Sequence, residues 1–157
     1  RLIEFGRFAK KDREKRGEGK PETFDFLGFT HICAQRNKDG RFVVRRKTIA
    51  KRLGMKVKKV AKELKRRRHD SVADQGQWLR SVVRGYFNYH AVPGNIVALG
   101  QFRKLVTRAW MRALRRRSHK ARGLTWIRMR KFEATWIPQA RILHPYPNQR
   151  LCVSYPR

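Results

Sequence analysis

Aspartate occurs at positions 12, 25, 39, 70 and 74 only. Two-metal phosphoryl chemistry needs carboxylates held close together on one rigid element. Among these residues only Asp70 and Asp74 approach such a spacing. They stand at the start of a predicted helix, where Ser71-Val-Ala-Asp74 fits a capping box in its acidic variant, so the pair reads as a cap. His31, His69, His90, His119, His144, Cys33 and Cys152 match no zinc spacing, and there is no Cys-x-x-Cys. A Gly-x-x-x-x-Gly-Lys phosphate loop and a Gly-x-Ser-x-Gly elbow are both absent. Cys33, inside an aromatic run, reads as a small core residue rather than a nucleophile. The residues predict no catalytic site, no metal ligands and no cofactor within this chain.

What the chain has in quantity is cations. Lys and Arg number 41 against 11 Asp and Glu, a formal net charge of +30. Such a field repels itself in a compact state and calls for a polyanion, nucleic acid before an acidic membrane. The charge is segregated. Residues 48–70 carry 10 basic and 2 acidic residues, 71–95 only 2 and 1, and 96–120 carry 8 and none. Lys104, Arg108, Arg112 and Arg116 recur every four residues, a ridge suited to phosphate oxygens. The bland alternative is a solvated helix face, but ordinary solvated faces mix signs. Arg66-Arg-Arg68 and Arg115-Arg-Arg117 are weaker signals, since basic triplets also suit helix C-termini.

Arg84-Gly-Tyr-Phe-Asn-Tyr-His90 is the most unusual string. A glycine inside a helix costs about 1 kcal/mol relative to alanine, which suggests close approach of another backbone, protein or RNA. Asn88 and the Tyr hydroxyls could meet 2′-hydroxyls, and Tyr can stack on a base. Equally, Tyr86, Phe87 and Tyr89 could be core, with Gly85 allowing tight helix packing.

The elements that must position these residues follow from periodicity. A helix is predicted from Arg1 to about Arg16, on Leu2, Ile3, Phe5, Phe8 and Ala9, broken by Gly17-Glu-Gly-Lys-Pro21. Thr23 to Cys33 is aromatic and β-branched, Asn37-Lys-Asp-Gly40 is a turn, and Arg41 to Arg45 returns. These form a predicted hairpin, which needs a packing partner because an isolated one is marginal. Thr48 is the predicted N-cap of a helix to about Arg68, with Ile49, Leu53, Val57, Val60 and Leu64 on one face and Arg52, Lys56, Lys59 and Lys62 away from it. Helices follow from Ser71 to about His90 and from Ile96 to Arg117, the latter striped by Ile96, Leu99, Phe102, Val106, Ala109, Trp110 and Ala113. A shorter one after Thr125 carries Trp126, Met129, Phe132 and Trp136. Beyond Pro138 a Pro- and Tyr-rich extended tail is expected.

The predicted class is therefore α-rich α+β, of about one domain's length. Four Trp, four Tyr and nine Phe argue against disorder. Two cysteines cannot build a disulfide scaffold, no run approaches the ~18 apolar residues of a membrane helix, and no signal-peptide pattern opens the chain. An Arg at position 1 suggests an excerpt, a processed product or a partial reading frame.

Three strings resemble the C-terminal part of bacterial-type group II intron reverse transcriptase/maturases. Thr23-Phe-Asp-Phe-Leu-Gly-Phe-Thr-His31, after Gly-Lys-Pro, looks like the last palm block, with its Phe-Leu-Gly primer grip. Trp78-Leu-Arg-Ser-Val-Val-Arg-Gly-Tyr-Phe-Asn-Tyr89 looks like the maturase-specific thumb, or domain X. Phe102-Arg-Lys-Leu to Arg115-Arg-Arg-Ser118 is similar to the following thumb helix. The likeness spans Arg1 to about Pro147. The resemblance implies a palm remnant with a primer-grip-like hairpin over 1–47, a basic thumb-like bundle over 48–137 and a tail over 138–157.

It also implies function. Phe26, Leu27 and Gly28 would face the primer end. Arg52, Lys56, Lys59, Arg84, Asn88, Tyr89, Lys104, Arg108, Arg112, Arg115 and Arg116 would bind RNA. The partners would be group II intron RNA, primer–template nucleic acid and a chain carrying the missing palm and fingers, with no membrane. The location would be the bacterial cytoplasm, on RNA or the nucleoid. The family's Tyr-x-Asp-Asp motif, fingers and His-Asn-His endonuclease are absent from this sequence, so Mg²⁺ belongs only to the complete polymerase. Other readings are the C-terminal piece of a split reverse transcriptase, a general basic RNA- or DNA-binding protein, and a non-functional remnant of a mobile element.

Overall fold

The computed structural model describes residues 2–146. The chain runs α1 (Ala9–Lys15), β1 (Phe24–Phe26), β2 (Phe29–Gln35), β3 (Phe42–Thr48), α2 (Ala50–Arg66), α3 (Val72–His90), α4 (Ile96–Arg115), a 3₁₀ turn (Lys120–Gly123) and α5 (Trp126–Trp136). It is a mixed α+β arrangement, mostly helical, with one antiparallel sheet in the order β1-β2-β3. Of the tail expected over 138–157, the part to Tyr146 is free of helix and strand, and the remainder, Cys152 included, lies outside the described residues. No helix among the described residues is long and apolar enough to cross a membrane.

The N-terminal half departs from expectation in three ways. First, the helix from Arg1 to Arg16 shrinks to α1, which buries none of its residues. Leu2 and Phe8 are largely exposed, Gly6 stands at φ 141° and Phe5 meets the sheet, edge-on to Phe24 at 4.8 Å, so the apolar spacing there marks no buried helix face. Second, the single strand from Thr23 to Cys33 is two strands. Leu27 and Gly28 both take left-handed φ, 48° and 86°. Phe26 pairs with Phe29 across them, which makes a two-residue turn of the kind hairpins favour. The hairpin is thus a three-stranded meander, and β3 continues to Thr48.

Third, Thr48 does not cap α2. Ile49 holds that position, with no side-chain capping bond. Thr48 is buried and is bound instead by Asn95. The Asn95 Oδ1 accepts from the Thr48 N–H at 3.0 Å, and its Nδ2 donates to Thr48 Oγ1 at 2.7 Å and to the His90 carbonyl at 2.8 Å. One buried amide thus ties the end of β3 to the α3–α4 corner. Phe29 completes the junction, stacked on Tyr89 at 5.8 Å and edge-on to His90 at 5.2 Å.

The helical half follows its sequence more closely. Ser71 caps α3: its Oγ accepts from the Asp74 N–H at 3.0 Å and donates to the Asp74 carboxylate at 2.6 Å. Thr125 caps α5. Leu53, Val60 and Leu64 of α2 meet Leu79, Val83 and Phe87 of α3 and the central stripe of α4, namely Leu99, Phe102, Val106 and Trp110. Tyr86 stacks on Phe102 at 3.7 Å. Ile96, expected in that stripe, is exposed, because it opens α4 at the corner beyond the core. Of the apolar residues expected on α5, only Met129 is fully buried.

Two details lock α3 to its neighbours. Gln75, wholly buried, accepts from the Trp110 indole N–H at 2.9 Å and donates to the Arg67 carbonyl at 2.7 Å. Gly76 faces Trp136 so closely that a Cβ would lie 2.5 Å from the indole. The tight helix-packing glycine is Gly76, therefore, and not Gly85.

Candidate nucleic-acid interface

Three open hollows collect most of the residues singled out from the sequence. The first, of about 510 Å³, lies between α2, α3 and the β1–β2 turn, lined by Gly28, Arg52, Lys56, Ser81, Gly85 and His90 among others. A Cβ on Gly85 would meet nothing within 4 Å. The expected close approach of a protein backbone is absent, and the glycine leaves the groove floor bare. His90 forms part of the wall. Burial, helped by the charge of Lys56, lowers its pKa to about 4, so the ring is neutral at pH 7. Its Nδ1 lies 3.3 Å from Thr48 Oγ1.

The second hollow, about 490 Å³, holds Phe26, Leu27, His31, Asn88, Tyr89 and His144 among its walls. Phe26 and Leu27 are 58% and 63% exposed, whereas Gly28 is buried beneath them. The turn is held from both sides. Tyr89 donates its hydroxyl proton to the Leu27 carbonyl at 2.7 Å, and the Ile49 N–H donates to the Gly28 carbonyl at 3.1 Å. These bonds offset the strain of a leucine in the left-handed region. They also change an expectation. The Tyr hydroxyls are not presented to 2′-hydroxyls: that of Tyr89 is engaged, and Tyr86 is buried, with desolvation, partly offset by Thr48, raising its pKa to about 12. Tyr89 as a whole is about half-exposed, with its ring stacked on Phe29.

The third hollow, about 570 Å³, runs between α4 and α5 and is lined by Gly100, Lys104, Arg108, Trp126, Arg130 and Glu133 among others. A smaller hollow of about 180 Å³ continues it, lined by Arg108, Met111, Arg112, Arg115 and Trp126. Lys59, Arg84 and Arg116 are exposed but lie outside these walls.

Which cations are free is decided by where the carboxylates fall. Arg66 and Arg67 both bond Glu63, whose pKa their hydrogen bonds lower to about 2, so the basic end of α2 is partly answered. Arg103 pairs with Glu133 and donates to the Pro138 carbonyl. Arg115 donates twice to the Leu124 carbonyl, at 2.9 and 2.7 Å, closing the turn after α4. Arg52, Lys56, Lys104, Arg108, Arg112 and Arg130 have no ion pair or hydrogen bond from their side chains among the described residues.

Sequence reasoning passed over Trp126 and Arg130 as helix content, and His90 as the end of an aromatic string. The one available signal was Thr125: a cap there places Trp126 in the first turn of a helix, where a side chain can clear the core. The described residues offer no set of donors fitting the Mg²⁺ that the family resemblance implies for a complete polymerase. Asp74 is bound into the Ser71 cap and Asp70 pairs with Arg67, and no group of three His, Cys, Asp or Glu among the described residues could hold a metal ion. No family model, no curated protein and no solved structure matches the chain.

Proposed function

We propose that the chain is an RNA-binding module of the maturase-thumb type, gripping group II intron RNA and primer–template through phosphates, with no polymerase active site of its own. The observation that carries the reading is the row of unanswered cations on α4. Lys104, Arg108 and Arg112 lie along an open groove with no carboxylate partner among the described residues. A second basic groove, at Arg52 and Lys56, has a glycine floor at Gly85 that a sugar–phosphate backbone can approach closely. Phe26 and Leu27, on an anchored turn, would stand against the primer end. The order of the three family-like strings along the chain supports the specific version.

Filter-binding titrations test both levels. The wild-type chain binds intron RNA more tightly than unrelated RNA of the same length, and equal affinity sinks the specific version. Each phosphate contact on single-stranded nucleic acid contributes about 0.7 to the log–log salt slope. The triple variant K104A/R108A/R112A therefore flattens the slope by about two and weakens binding roughly 100-fold at 0.1 M salt. R66A/R67A, whose cations already serve Glu63, changes affinity far less.

A second reading, the C-terminal piece of a split reverse transcriptase, is favoured by the exposed apolar residues Leu2 and Phe8 beside an α1 that buries nothing. Primer extension on mixing with a separate chain carrying palm and fingers distinguishes it from a module that only binds.

A further inference from the structure

The four tryptophans meet three different fates. Trp110 is wholly buried, its N–H satisfied by Gln75. Trp78 and Trp136 are half-buried, and each has a guanidinium over its ring, Arg67 at 5.2 Å and Arg80 at 5.3 Å. Trp126 has none of these. It is 46% exposed, at the first position of α5. Its indole borders both the larger α4–α5 hollow and the smaller one, with Arg108 as the other residue common to the two walls. An exposed indole forfeits a large apolar burial, and here Lys104, Arg108, Arg112 and Arg130 surround it.

We propose that Trp126 is the stacking platform for one unpaired nucleobase, with the phosphates on either side held by Lys104, Arg108, Arg112 and Arg130. This rests on the RNA-binding reading above and names a subsite within it. A bare aromatic face flanked by cations of one sign fits a polyanion that also carries π-faces, which is the design of single-strand sites. A protein partner for Trp126 and its exposed neighbour Ile127 would have to bring several carboxylates as well. A perfect duplex presents phosphates but no free base face. The subsite therefore selects unpaired nucleotides, whereas the cations alone do not.

The test uses the full chain, a single-stranded RNA, a fully paired RNA of equal length and an abasic strand. Loss of one stacked base by alanine substitution is worth about 5- to 150-fold. W126A is expected to weaken single-strand binding within that range, to change duplex binding less than about twofold, and to leave the salt slope unaltered, because no phosphate contact is removed. W126F retains most of the affinity. The wild type binds the abasic strand about as weakly as W126A binds the normal one. Circular dichroism of W126A matches the wild type, since the indole supports little of the core.

Unchanged single-strand affinity in W126A overturns the stacking subsite alone, as does an equal loss on single strand and duplex. Self-association that W126A abolishes while RNA affinity stays fixed assigns the indole to a protein contact and also overturns it. No RNA binding by the wild type at low salt overturns the RNA reading, and the subsite with it.

Discussion

The two ends of α3 carry the same irregularity to opposite effect. Near its start, Gly76 lets the Trp136 ring lie against the helix backbone, and Gln75 beside it bridges two helices from a buried position. Nine residues on, a Cβ at Gly85 would meet nothing within 4 Å, and the glycine leaves a basic groove open. Just past the helix, Asn95 closes the corner with polar bonds rather than with packing. A glycine in a helix costs the same propensity wherever it stands. What it permits depends on the neighbour the fold brings, here an indole in one case and solvent in the other.

That contrast can be broken in graded steps. Asn95→Ala strands a buried Thr48 N–H and removes two further bonds. With each unsatisfied buried group costing about 1–3 kcal/mol, a loss near 3 kcal/mol is expected in denaturant unfolding. Gly76→Ala places a methyl group against the Trp136 ring. Overpacking of this kind costs about 1–3 kcal/mol, only partly offset by the better helix propensity of alanine. Gly85→Ala has the opposite sign. It stabilises by up to about 1 kcal/mol and, on the reading proposed above, weakens RNA binding because the groove floor rises. A destabilising Gly85→Ala would remove the distinction between the two ends.

The remaining effect is a pH dependence at the closed corner. His90 has a folded pKa of about 4, below the usual 6.5, through burial first and Lys56 second. Between those values the unfolded chain binds the proton and the folded chain does not, so His90's contribution is intact above pH 6.5 and is lost as pH falls toward 4. The melting temperature should fall over that window, and His90→Gln should flatten the fall. Glu63 acts lower: its carboxylate, held at about 2 by Arg66 and Arg67, loses its contribution only as pH falls from about 4.5 to 2. A His90→Gln variant with an unaltered profile between 6.5 and 4 would show that the corner tolerates the charged ring.

Legibility followed the range of the interaction. The caps at Ser71 and Thr125, the stripes of α2 and α4 and the turn at Asn37 to Gly40 involve residues a few positions apart, and local sequence exposes them. The first helix is shorter than its apolar spacing predicts, because spacing predicts a face and says nothing about whether a partner covers it. The Leu27-Gly28 turn is not legible in local sequence, because a leucine at positive φ is not written in its own preferences. It is imposed by bonds from Tyr89 and Ile49, many positions away for Tyr89. Thr48 departs from expectation for the same reason: a threonine before a helix suits a cap, but Asn95, 47 residues on, claims it.

The sequence by itself determined the sign and segregation of the charge, the lack of clustered carboxylates and the helical identity of the cationic segments, because composition and periodicity are additive along the chain. Only the tertiary structure decided which cations stay unpaired, that Gly76 packs while Gly85 opens, and that one tryptophan of four stands bare among arginines. Those outcomes depend on which side chains from distant segments meet, and pairing, burial and exposure are properties of the meeting rather than of either partner.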